Sequence, residues 1–156
     1  MGSIVYNQGE RAIIEAVWCG QSSLGSTPVL VPSPGGNWGL GLGTKVGGVG
    51  SAKTDLIAQI LELGTATPAG YGRAVLTRNH TGWPAPTRPG TSYATTSPQQ
   101  TFTFTNPPSP NGATLWFVAG SAVISDDNIL FAADLAQTRT FNIGDVERVT
   151  ASYQQG

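Results

Sequence analysis

The residues Asn37 to Gly50, NWGLGLGTKVGGVG, bring closely spaced glycines together with a threonine and a lysine. A phosphate-cradling loop uses the same ingredients: glycine backbone N–H groups and a lysine charge, seated at the start of a helix. The spacing does not fit that chemistry. A P-loop places four residues between its glycines and a Ser or Thr after the lysine. Here Gly39 and Gly43 enclose three residues, and Thr44 precedes Lys45. The dinucleotide fingerprint G-x-G-x-x-G also fails, because the glycine after Gly41-Leu42-Gly43 comes one place late, at Gly47. KVGGVGSA, which follows, is a poor helix start. The pattern predicts a strand instead: Trp38, Leu40 and Leu42 alternate with glycines, leaving flat backbone on one side for another element to approach.

Other candidate chemistry is sparse. His80 is the only histidine, so any Ser-His-Asp or Cys-His system would have to use it. It lies in TRNHTGW, where no G-x-S-x-G nucleophile motif occurs, and reads as an exposed or loop-packing residue. Asn79-His80-Thr81 is formally a glycosylation sequon, which carries no meaning without export. Asp126, Asp127 and Asn128 offer oxygen ligands for calcium, but their spacing matches no EF-hand loop and SDDN is an ordinary β-turn. Cys19 is the only cysteine, which rules out an internal disulfide or a cysteine-based metal cluster. No catalytic residue, metal ligand or cofactor follows, and a non-enzymatic protein is expected. Trp83, in HTGWPAPTRPG, is the aromatic that stands out. A tryptophan among prolines serves as a sugar-stacking platform, an intersubunit anchor or a plug over the end of a sheet; burial, within the chain or at an interface, is the preferred reading.

The elements that must position these residues are mostly strands. NQGERAIIEAVWCG is the most convincing helix: Ile13, Ile14, Val17 and Trp18 form one apolar stripe, Asn7 caps the start and Gly20 stops it. TDLIAQILELG is a second helical candidate, with Thr54 as cap, Leu56, Ile57, Ile60 and Leu61 as its buried face, and Gly64 as its end. After Gly64 the chain reads as β. YGRAVLT, TFTFT, ATLWFVAGSAVI, NILFAADL, TRTFNI and VERVTASY are strands, separated by Gly/Pro turns such as NPPSPNG and Gly144-Asp145. In TFTFT, strict alternation puts Phe102 and Phe104 on one face and threonines on the other. Short strands without βαβ alternation predict a mainly β protein, an antiparallel jelly-roll-like β-sandwich with a short N-terminal helix. One domain over 1–156 is expected, with an arm at 1–8, the helix at 9–20 and the sandwich at 37–156.

Composition narrows the function classes. Among 156 residues, charged side chains make up 11%, against roughly 25% in a typical soluble protein. The formal net charge is −1 and the eight Lys and Arg are scattered, so nucleic acid is not an expected partner. No apolar run approaches the roughly 18 residues of a membrane span, and GSIVYNQGE after Met1 lacks the features of a secretory signal. With little charge to hold copies apart, the surface suits protein neighbours.

Four stretches, in order, resemble a family of small bacteriophage accessory virion proteins. The first is an N-x-G-E opening that runs into an amphipathic helix, here Asn7-Gln8-Gly9-Glu10 and RAIIEAVW. A GL-x-T strand follows, Gly41-Leu42-Gly43-Thr44. The third is an acidic, leucine-bearing segment, TDLIAQILEL, leading to a GY-x-R strand, Gly70-Tyr71-Gly72-Arg73, and then Trp83. The last is a run of strands containing TFTFT, LWFVAGS, an L-x-x-x-R segment at Leu135 to Arg139, and a GD turn at Gly144-Asp145. The expanded glycine tract (39–50) and the Pro-rich insert (84–98) depart from the family. The resemblance implies a capsid decoration (cement) role in the virion, as a trimer bound to major capsid proteins. The alternative is a collar, tail, baseplate or fibre component, including a receptor- or carbohydrate-binding module. Ile4, Tyr6, Trp38, Leu40, Leu42, Trp83 and Tyr93 are the candidate interface residues.

Overall fold

The computed structural model describes residues 23–24, 27–28, 37–45, 60–88, 90–119, 122–124 and 129–155. The described residues form eleven strands: β1 (Ser23–Leu24), β2 (Thr27–Pro28), β3 (Asn37–Lys45), β4 (Ile60–Glu62), β5 (Ala74–Thr77), β6 (Tyr93–Thr96), β7 (Gln100–Thr103), β8 (Ala113–Ala119), β9 (Ile129–Arg139), β10 (Val146–Val149) and β11 (Ser152–Gln155). The protein is mainly β, and the pairings whose register is resolved are antiparallel, as the turn-punctuated sequence predicts. The expected helix at 9–20 and the arm at 1–8 lie outside the described residues. The chain gathers into two compact units, one holding Asn37–Val75 and Gln99–Val149, the other including Leu76–Pro98 and the residues from Thr150 onward.

In the Asn37–Val75 and Gln99–Val149 unit, the strand order is β4-β3-β8-β9, with β5 also pairing β3. Opposed residues of an antiparallel ladder share a face. One face therefore carries Gly39, Gly41 and Gly43 opposite Ala119, Phe117 and Leu115, while the other carries Leu40 and Leu42 opposite Val118 and Trp116. Gly41 and Gly43 are there for close approach. A Cβ on Gly41 would sit 2.4 Å from the Phe117 ring, and one on Gly43 would sit 2.6 Å from Ile60 and 2.9 Å from the Leu61 carbonyl. Ile60, Leu115, Phe117 and Ala119 form a core on that face, with Ala132 packed against them.

The second helical candidate is corrected at its C-terminal end, where Ile60–Glu62 is a strand and not a helical turn. Ile60 and Glu62 turn inward, whereas Leu61, expected on a buried helix face, is 59% exposed. Pairing of Lys45, Thr44 and Gly43 with Ile60, Leu61 and Glu62 overrides a local helical periodicity that fits equally well over so few residues. TRTFNI also ends as a strand earlier than expected, at Arg139. Phe141 then leaves the ladder for the core, bracketed by Asn111: the Asn111 Nδ2 donates to the Phe141 carbonyl (2.8 Å), and the Phe141 N–H donates to Asn111 Oδ1 (2.9 Å).

β7 pairs with β10 in the same unit. Phe102 and Phe104 are buried between exposed threonines, as alternation predicts. Tyr71 stacks on both, with ring centroids 5.8 and 6.5 Å away, and Phe104 stacks on Phe141 at 4.2 Å. The other unit pairs β6 with β11, closed by the Ser97 N–H donating to the Ala151 carbonyl and the Ala151 N–H donating to Ser97 Oγ.

Candidate functional site

The densest polar constellation among the described residues lies inside the protein. Glu62 ends β4 and Arg73 precedes β5; their exposures are only 5% and 6%. The guanidinium meets the carboxylate through two parallel hydrogen bonds, Nε to Oε1 and Nη2 to Oε2, both 2.9 Å. Arg73 Nη1 donates to the Val123 carbonyl at 3.0 Å, and the guanidinium carbon stands 5.4 Å from the centre of the Phe117 ring. The Tyr71 hydroxyl donates to Glu62 Oε1 (3.0 Å) and accepts the Leu42 N–H (2.9 Å). Beside it, the Leu63 N–H donates to the Leu42 carbonyl (3.0 Å), so the hydroxyl prolongs the β3–β4 ladder one place past the strand. Burial above all, then the neighbouring Glu62 charge, pushes the Tyr71 pKa far above the usual tyrosine value.

These residues are the GY-x-R stretch and the acidic end of ILEL. Gly70 takes φ +90°, a conformation open to glycine, and a Cβ there would lie 2.9 Å from the Thr103 carbonyl. In the GL-x-T stretch, the Thr44 hydroxyl donates to the Gly112 carbonyl at 2.9 Å. At the GD turn, Gly144 takes φ +83° and donates its N–H to the Phe104 carbonyl, while the Phe104 N–H donates to the Asp145 carbonyl. The GY-x-R, GL-x-T and GD stretches thus tie separate parts of the chain together; the N-x-G-E stretch lies outside the described residues.

The sequence-predicted interface residues scatter. Leu40, Leu42 and Trp83 are 0% exposed within the folded chain, so their side chains do not present a docking surface. The two leucines face the sheet interior opposite Val118 and Trp116. Trp83 is turned inward by the TRNHTGW loop. Asn79 Oδ1 accepts the Thr77 hydroxyl and the N–H groups of Thr81 and Gly82, and the Trp83 N–H donates to the Asn79 carbonyl. Gly82 is required there, because a Cβ would strike the Thr77 carbonyl oxygen. His80 is exposed on the same loop. Trp38 and Tyr93 are half-buried, and Arg88 stands over the Tyr93 ring at 6.0 Å, occupying one face a sugar would need. Ile4, Tyr6 and the Asp126-Asp127-Asn128 turn lie outside the described residues. Among the described residues no group of three or more His, Cys, Asp or Glu side chains gathers as a metal site, and no helix is long and apolar enough to cross a membrane.

Sequence reading missed two features. The Glu62–Arg73 pair spans eleven positions, a separation no local pattern reports, although charges inside strand-like runs were a signal in so sparsely charged a chain. The second is an irregularity in β9. Asp134 opposes Leu115 and Arg139 opposes Ala113, so Leu135, Ala136, Gln137 and Thr138 all lie opposite the single residue Thr114. Arg139 follows this bulge, 47% exposed, with its Nε donating to Glu147 Oε2 at 3.0 Å. No family model, curated protein or solved structure matches the chain.

Proposed function

We propose that this is a non-enzymatic bacteriophage structural protein, a capsid decoration (cement) protein that acts through protein–protein interfaces in the virion. The observation that carries this reading is the use to which three of the resemblance motifs are put. Tyr71, Arg73, Thr44 and the Gly144-Asp145 turn bind other parts of the chain itself. They tie antiparallel strands and turns together, and in this reading the surface is left to act by fit. A specific contact of this kind removes about 1,600 Å² from water, and repetition over many copies would brace a shell against the pressure of packaged DNA. The proposed partners are further copies of the chain, in a trimer, and the major capsid protein. Nucleic acid, membrane and cofactor have no part in the reading.

The test is the copy number in purified particles, measured by quantitative mass spectrometry against the major capsid protein. Cement predicts a ratio near that of the capsid subunits. A handful of copies per particle would transfer the protein to the collar, tail, baseplate or fibre, and absence from particles would overturn the reading.

A further inference from the structure

The bulge in β9 and the strand beside it build a surface that none of the architecture described above requires. Bulges re-aim side chains and interrupt pairing, and they recur next to binding sites. Here the bulge throws Leu135, Ala136, Gln137 and Thr138 out of the ladder and delivers Arg139 to the rim of two recesses. One, of about 320 Å³, is lined by Thr138, Arg139, Thr140, Asp145 and Val146. The other, of about 230 Å³, is lined by Leu135, Ala136, Gln137, Arg139 and Glu147. Arg139 is the residue common to both.

Its guanidinium is braced from one side. Nε donates to Glu147, itself 15% exposed, which biases the orientation of the planar group, while no hydrogen bond from its two terminal nitrogens is seen among the described residues. Asp145 is committed through one carboxylate oxygen, Oδ2, to the Asn142 N–H at 2.7 Å. The two recesses together therefore hold both donors and acceptors: a guanidinium, the Gln137 amide, two threonine hydroxyls and two carboxylates. The carboxylates offset the arginine, which disfavours an anion. A shallow surface with one guanidinium against two carboxylates, planar polar groups and small apolar patches at Val146 and Leu135 matches an uncharged ligand whose every polar group both donates and accepts.

We propose that the β9 bulge with Arg139 forms a binding site for a neutral, hydroxyl-rich ligand, the sugar units of a glycan. Arg139 donates a forked pair of hydrogen bonds to adjacent hydroxyls, and Gln137 and Thr140 extend contacts into the two recesses. This site uses neither Trp83 nor Tyr93. It stands independently of the particle reading, since it concerns the purified protein.

The experiment is a glycan microarray carrying neutral and acidic oligosaccharides, probed with purified full-length protein, followed by calorimetry on the best ligand. Neutral glycans should be retained, and Arg139→Ala should weaken binding tenfold or more, about the effect of losing hydrogen bonds to a charged group. Arg139→Lys should lose most of the same affinity, because an ammonium cannot reproduce the fork. Gln137→Ala and Thr140→Val should each lose less, and Tyr93→Ala should change nothing. Unchanged circular dichroism and melting of each variant separates a binding defect from a folding one. Retention of no glycan, retention of acidic glycans alone, binding indifferent to Arg139→Ala, or binding lost on Tyr93→Ala would each overturn the proposal.

Discussion

At the scale of single residues, Tyr71 has the most demanding position. Its ring stacks on Phe102 and Phe104, and its hydroxyl joins the Leu42 backbone to a buried carboxylate. Removing the hydroxyl leaves the Leu42 N–H and one lone pair of Glu62 without it, which costs about 1–3 kcal/mol. The pH dependence has a definite sign. Burial and the Glu62 charge raise the folded-state pKa, so the folded protein keeps the phenolic proton after the unfolded chain has begun to lose it, near 10. The contribution is complete below that value and erodes as pH climbs above it, at up to about 1.4 kcal/mol per pH unit. In denaturant titrations, Tyr71→Phe should be less stable than the parent at neutral pH and should flatten the alkaline decline. An equally steep decline in the variant would mean that Tyr71 keeps no proton the unfolded chain loses. The adjacent Glu62–Arg73 pair is two-sided: its burial makes it costly to break, about 3–5 kcal/mol for loss of one partner, without making the intact pair a large net stabiliser.

At the scale of elements, β3 shows how sequence pattern becomes packing. Gly41 lets the Phe117 ring lie directly on the strand, with 2.4 Å between the ring and the place a Cβ would occupy. Gly41→Ala should destabilise the protein by about 1–3 kcal/mol through overpacking. Gly72→Ala, where nothing lies within 4 Å, should be neutral or slightly stabilising. Thermal melts of the pair decide it, and equal melting temperatures would mean that close approach does not explain the glycine. Introducing Phe117→Leu beside Gly41→Ala should recover part of the loss, because the two positions touch. This strand was legible in the sequence since its reason is local: apolar and glycine residues alternate, and the pleat turns that alternation into two faces. TFTFT was legible on the same ground. Ile60–Glu62 was not, because three residues fit a helical and an extended period alike and β3 decides between them. Trp83 was legible only as a residue to be buried. That it is enclosed within the chain follows from the Asn79 turn, whose hydrogen bonds no spacing rule announces. Leu135 to Arg139 stood out in the sequence as a segment, but its bulge did not, because a bulge is a mismatch between two strands and exists only once β8 and β9 are paired.

At the scale of the whole molecule, the decisive quantity is charge. Eight Lys and Arg stand against nine Asp and Glu over 156 residues. Glu62 and Arg73 are sealed inside, and Arg139 and Glu147 engage each other. The remaining charges are few for a chain of this length and nearly balanced in sign, so under the proposed function attachment to a particle rests on apolar fit and short hydrogen bonds rather than on long-range attraction. Exposed aliphatic side chains are available for such contacts at Leu61, Val75, Val123 and Ile143, each more than half exposed. The two kinds of attachment respond oppositely to salt. Exposed charges are screened as the Debye length shrinks from about 10 Å at 0.1 M to about 3 Å at 1 M. Apolar burial is unaffected or strengthened by excluded salts such as sulfate, and it weakens on cooling. Purified particles taken from about 0.1 M to about 1 M sodium chloride and pelleted should keep their full complement of this protein. Incubation in the cold, at the low ionic strength that favours electrostatic attachment, should release more of it than high salt does. Quantitative shedding at high salt would show that charge holds the protein in place, and the account of its function as apolar fit would fall.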